Sequence, residues 1–112
     1  MEDIDWKNMW FWYLKTKSNI RCEYINWAWQ KPTITTDENV NIHMASTCLN
    51  YWQECFEWLK AFMWKDSKVR VFRWEDNLER MNKSAQMMCA PSIPKDLFFE
   101  MIKEVILDNI DY

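Results

Sequence analysis

Residues 45–63, ASTCLNYWQECFEWLKAFM, decide how the chain reads. Ala45, Cys48, Leu49, Trp52, Cys55, Phe56, Leu59, Phe62 and Met63 recur at steps of three and four, with Ser46, Asn50, Gln53, Glu54, Glu57 and Lys60 on the other side. That spacing predicts an amphipathic helix with one apolar face. Just upstream, Thr35 and Glu38 have the spacing of a capping box, whereas Val40, Ile42 and Met44 alternate with Asn41 and His43 as a strand would.

Downstream, Val71, Trp74, Leu78, Met81, Ala85 and Met88 fall on an alternating three–four spacing, which predicts a helix over residues 67–89 with Ser67 as its cap. A short strand over 69–74 is the rival reading. Pro91 ends this run, because the residue before a proline is pushed out of the helical region. The final helix is marked at both levels. Ser92 offers a cap and Pro94 sits in the first turn, where its missing N–H costs nothing. Phe98, Met101, Ile102, Val105 and Ile106 then share a face as far as about Asn109.

Upstream, residues 4–31 fit two periods. As a helix, Trp6, Met9, Trp10, Tyr13, Leu14, Ile20, Tyr24, Trp27 and Ala28 share a face; as strands, residues 9–15 and 20–29 form a hairpin. Scarce valine and missing glycine favour helix, since tight hairpins usually turn through glycine. The expectation is therefore an all-α bundle of four to five helices around an aromatic core, in a single globular domain over 1–112. The alternative is an α+β fold, with a small antiparallel sheet from residues 9–44 packed on helices 45–64, 75–89 and 94–110.

The composition is unusual for a natural domain. The 112 residues contain nine Trp and eight Met but no Gly, where roughly eight glycines would be ordinary. Glycine serves wherever the backbone takes positive φ, so its absence suggests a de novo or otherwise unevolved sequence, with an orphan natural protein as the other reading. The net charge of −3 gives no pull toward nucleic acid or anionic lipid. No apolar run approaches the roughly 20 residues of a membrane span, and the acidic start, Met1-Glu2-Asp3, does not resemble a signal peptide. A cytoplasmic protein, or a recombinant one with no native compartment, is expected. Cys22, Cys48, Cys55 and Cys89 match no zinc spacing and are expected to be free thiols.

Chemistry-bearing patterns are sparse. His43 is the only histidine. It lies five residues from Cys48, off one helix face, so a His-activated nucleophile is not indicated, and His43 reads as solvated or capping. One histidine cannot furnish a bundle-core di-metal site. Without glycine, phosphate-cradling loops of the familiar kinds are excluded. No catalytic residue, cofactor site or metal site is assigned.

Asp96, Glu100, Glu104 and Asp108 step by four along the last helix, an acidic stripe that Arg70, Arg73 and Arg80 on the preceding helix are placed to face. Lys65, Lys68, Arg70 and Arg73 lie among Trp64, Phe72 and Trp74, but Glu75, Asp76 and Glu79 follow at once, so nucleic acid is not the expected partner. Trp12, Trp29 and Trp64 fall off the apolar faces drawn above. With the acidic stripe they form the candidate interaction surface. The function expected is structural, a helical domain that self-associates. A small acidic interaction module, an inhibitor or adaptor, is the alternative, and an enzyme with a carboxylate acid–base in an aromatic pocket is the third reading.

Overall fold

A computed structural model describes residues 15–111. The described residues form three helices and six short strands: β1 (Asn19–Arg21), β2 (Tyr24–Ile25), β3 (Ala28–Trp29), β4 (Thr33–Thr35), α1 (Thr47–Tyr51), β5 (Ala61–Met63), β6 (Val69–Val71), α2 (Trp74–Met87) and α3 (Lys95–Asp108). The strands pair antiparallel as β1 with β4, β2 with β3, and β5 with β6. The all-α bundle is therefore overturned. The α+β alternative agrees in its mixed class and its two later helices, but its helix over 45–64 is missing and the strands of residues 19–35 make two separate pairs.

The physical reason lies in residues 45–63. Helix α1 runs for five residues and stops at Trp52, whose backbone is left-handed at φ 55° and ψ 30°. The chain then runs irregularly into β5. About half of the sequence is hydrophobic, so an apolar face can be drawn on almost any segment, and periodicity loses its power to discriminate. Ser67 does not cap a helix. It takes φ 58° in the turn between β5 and β6, with its amide donating to the Trp64 carbonyl at 2.9 Å and the Trp64 amide donating to the Lys68 carbonyl at 3.0 Å. The polar break Lys65-Asp66-Ser67 is thus a hairpin loop, and the short strand wins over the longer helix at 69–71. Thr35 ends β4, and its hydroxyl accepts from the Asp37 amide at 3.1 Å instead of closing a capping box.

The chain divides into two compact units, Met1–Asn39 with Met101–Tyr112, and Val40–Glu100. In the first, β1 and β4 pair Asn19 with Thr35, Ile20 with Ile34 and Arg21 with Thr33. The β2–β3 pair is a hairpin whose two loop residues, Asn26 and Trp27, both have positive φ, the mark of the turn that matches strand twist. A polar knot ties this sheet to the end of α3. The buried Ser18 amide donates to Asn109 Oδ1 at 3.0 Å, its hydroxyl donates to Asp108 Oδ2 at 2.5 Å, and Asn109 Nδ2 returns a bond to the Ser18 carbonyl at 3.1 Å. Lys17 joins the same carboxylate at 2.8 Å. Arg21 fastens the segment after β4 by donating to the carbonyls of Asn39 and Asp37.

In the second unit, α2 supplies the only buried apolar side chains among the described residues, Leu78 and Ala85. A tightly packed aromatic core is not there. Trp74 does pack, its ring 5.1 Å from that of Phe99 and 6.4 Å from that of Phe98. Elsewhere, Trp52, Phe56, Trp58, Phe62, Trp64 and Phe72 are exposed. Asn82 holds the connection to α3 by accepting from the Ile93 amide at 2.8 Å and donating to its carbonyl at 3.0 Å.

Replacing Asn109 by Ala strips the buried Ser18 amide of its acceptor and frees one side of the knot. A loss of about 1–3 kcal/mol in unfolding free energy is expected, read as a lowered denaturant midpoint, while Lys103→Ala at an exposed position of α3 stays within about 0.5 kcal/mol.

Candidate functional site

The side chains with the most chemistry gather where β5, β6 and the first turns of α2 meet. Three arginines expected to face the acidic stripe are spent locally. Arg70, in β6, makes a two-pronged pair with Asp66 at 2.9 and 2.8 Å and lays its guanidinium 4.9 Å from the Trp64 ring. Arg73 pairs with Asp76 three residues on. Arg80 reaches back to Glu57 at 3.1 and 2.8 Å. The buried Asn77 amide supports that pair, donating to Glu57 Oε2 at 2.8 Å and to the Trp58 carbonyl at 3.1 Å.

Above this network lies an open concavity of about 380 Å³ walled by Trp58, Leu59, Phe62 and Phe72, with Arg73 and Arg80 on its polar side. On the other side of Phe62 a broader hollow of about 740 Å³ is lined by Met63, Trp64, Arg70 and Val71. The apolar wall suits a small aliphatic group, while the guanidinium groups at the rim are already engaged by Asp76 and Glu57.

The carboxylates that the structure perturbs all move downward. Hydrogen bonds from Arg80, aided by Asn77, hold Glu57 below its usual range. Arg70 does the same for Asp66, Lys17 and Ser18 for Asp108, and the Asn39 amide for Asp37. A general acid needs the opposite shift, through desolvation. None of these four is poised for that role.

The candidate interaction residues scatter. Trp12 lies outside the described residues. Trp29 sits in β3 with its ring edge-on to Tyr24 at 5.2 Å. Trp64 is about half exposed beneath Arg70. Asp96 and Glu100 are exposed at the start of α3, Glu104 is half-buried, and Asp108 is engaged by Lys17 and Ser18. The stripe is therefore not one continuous acidic face. His43 caps locally, accepting from the Ala45 amide at 3.1 Å. All four cysteines are free, Cys48 in α1 and Cys55 beyond it, so these two do not share a helix. No group of three or more metal-binding side chains comes together among the described residues, and none of the described helices is long and apolar enough to cross a membrane. Sequence reasoning passed over Glu57, Asn77, Arg73 and Arg80 as a site, since helical spacing put Glu57 on a solvent face.

No family model matches the chain. Individual proteins do. The chain is 39% identical over its whole length to a branched-chain-amino-acid aminotransferase of Haemophilus influenzae, covering 33% of that protein. It is 32% identical over 97% of its length to the corresponding enzyme of Helicobacter pylori, covering 32% of it. Against the cytosolic branched-chain-amino-acid aminotransferase of Rattus norvegicus it is 39% identical over 80 residues. The chain spans about a third of the length of the first two of these relatives. These likenesses overturn the expectation of a non-enzymatic, de novo-like helical domain. A sequence with natural enzymes aligned along its whole length is a product of evolution, and missing glycine is not a sign of design here.

Because the Arg80 pair keeps the Glu57 carboxyl below its ordinary value of 4.5, the stabilisation it gives is complete above that value and is lost as pH falls through the lowered folded-state value. Acid titration followed by unfolding midpoint should show stability declining below about pH 4.5, and Glu57→Gln should flatten part of that decline. An unchanged acid profile in Glu57→Gln would show the pair contributes nothing.

Proposed function

We propose that this chain is a segment of an aminotransferase acting on branched-chain amino acids. The observation that carries the reading is identity of 39% sustained over all 112 residues with an enzyme so named. The geometry adds one point of support: the Trp58–Phe62–Phe72 wall suits an aliphatic side chain.

The described residues do not hold the whole reaction centre. Amino transfer needs an aldehyde carrier of the pyridoxal phosphate kind, held as an imine by a lysine whose amine is desolvated. Every described lysine is exposed, so the described residues do not fit that role and no catalytic step is drawn through them. In this reading the remaining two thirds of a longer polypeptide supply the carrier site. They also cover the apolar face left open around Trp58, Phe62, Trp64 and Phe72, which is larger in aromatic content than an isolated surface normally tolerates. A cytoplasmic setting goes with it, since all four thiols are unpaired.

The test is an assay of the complete protein containing this segment, with leucine, isoleucine or valine as amino donor and a 2-oxo acid as acceptor. Transfer from these donors in preference to aspartate is expected. A folded protein that transfers from none of them overturns the reading. In the active protein, Arg73→Ala should lower kcat/KM about 10- to 100-fold, chiefly through KM, as expected when a charged hydrogen bond worth about 1.5–3 kcal/mol is lost.

A further inference from the structure

We infer that positions 27 and 52 are glycine in the protein as its own cell makes it, the codons behind Trp27 and Trp52 being decoded there as glycine. Three independent observations converge on these positions. The first is backbone geometry. Trp27 has φ 64° and follows Asn26 at φ 52° in the two-residue loop joining β2 to β3. A turn with both loop residues at positive φ is dominated by Asn-Gly, because only glycine takes the second position without a Cβ clash. Trp52 has φ 55° and ψ 30° at the end of α1, where a left-handed residue closing a helix is most often glycine. A bulky side chain at positive φ is an outlier, costing on the order of a tenfold loss in the folding equilibrium constant at each site.

The second observation is the fate of the rings. Trp27 is 92% exposed and Trp52 is 82% exposed. Neither meets an aromatic or cationic partner among the described residues. Trp29 and Trp74, both on regular backbone, behave oppositely, packing against Tyr24 and against Phe98 and Phe99. Large rings are normally placed where they bury area. Two rings left in water on a left-handed backbone have no structural use.

The third is composition. The chain has nine Trp and no Gly, although it aligns with natural enzymes along its whole length. A chance absence of glycine would leave tryptophan at its usual low level. An exchange of one residue for the other raises tryptophan as glycine vanishes. The triplet UGA supplies the chemistry of that exchange, being read by a tryptophan tRNA in some translation systems and by a glycine tRNA in others. The backbone separates the two kinds of tryptophan: positions 27 and 52 hold the left-handed conformation that favours glycine, while Trp29 and Trp74 have rings at work.

Peptide sequencing by mass spectrometry, on the protein isolated from its natural source, tests this without depending on folding. Pro32 blocks cleavage after Lys31, so the tryptic peptide Cys22–Lys60 carries positions 27 and 52 together with an internal control, 29. Glycine at 27 and at 52, with tryptophan at 29, is the expected result. Tryptophan at 27 or at 52, or glycine at 29, overturns the inference.

Discussion

Three asparagine side chains close the long-range contacts that a hydrophobic core would ordinarily close. Asn109 joins the end of α3 to the residue before β1, Asn82 joins α2 to the start of α3, and Asn77 joins α2 to the segment leading into β5. Each amide offers a donor and an acceptor in one rigid plane, so it satisfies two groups at once and fixes their register. The constraint is strict because the groups are partly buried: an unmatched amide or carbonyl there costs more than the bond contributes. Among the described residues no buried side-chain nitrogen or oxygen lacks a partner. Polar satisfaction, rather than burial of rings, organises each unit.

The apolar surface follows from that arrangement. Leu78 and Ala85 are the only buried apolar side chains among the described residues, and the aromatics of β5, β6 and the approach to them stay exposed there. Such a face is costly in water and ordinary inside a larger protein. The chain spans about a third of the length of the Haemophilus influenzae aminotransferase that it matches. The arginines that flank the face are each tied to a nearby carboxylate, which keeps their guanidinium groups oriented while leaving Arg73 at the rim of the smaller hollow.

The sequence carried the C-terminal end of the fold better than its middle. Helix α3 was legible because its signals are local: Pro94 in the first turn and apolar residues at Phe98, Met101, Ile102 and Val105. The turn at Lys65-Asp66-Ser67 was visible as a polar break, but its hairpin character was hidden because the αL position holds Ser67 instead of glycine. The same loss of punctuation obscured the β2–β3 hairpin, where Asn26-Trp27 does not read as a turn. Of the site, Arg70 and Arg73 stood out as charges, but their partners could not be foreseen. Glu57 and Arg80 are 23 residues apart, and no periodicity links them.

By itself the sequence determined the final helix, because capping and proline sterics act within a turn. Only the tertiary structure decided residues 45–63. Helix and extended chain both place apolar side chains there. The choice fell to contacts made far along the chain, the pairing of Ala61–Met63 with Val69–Val71 and the anchoring of Glu57 by Asn77 and Arg80, which no local pattern encodes.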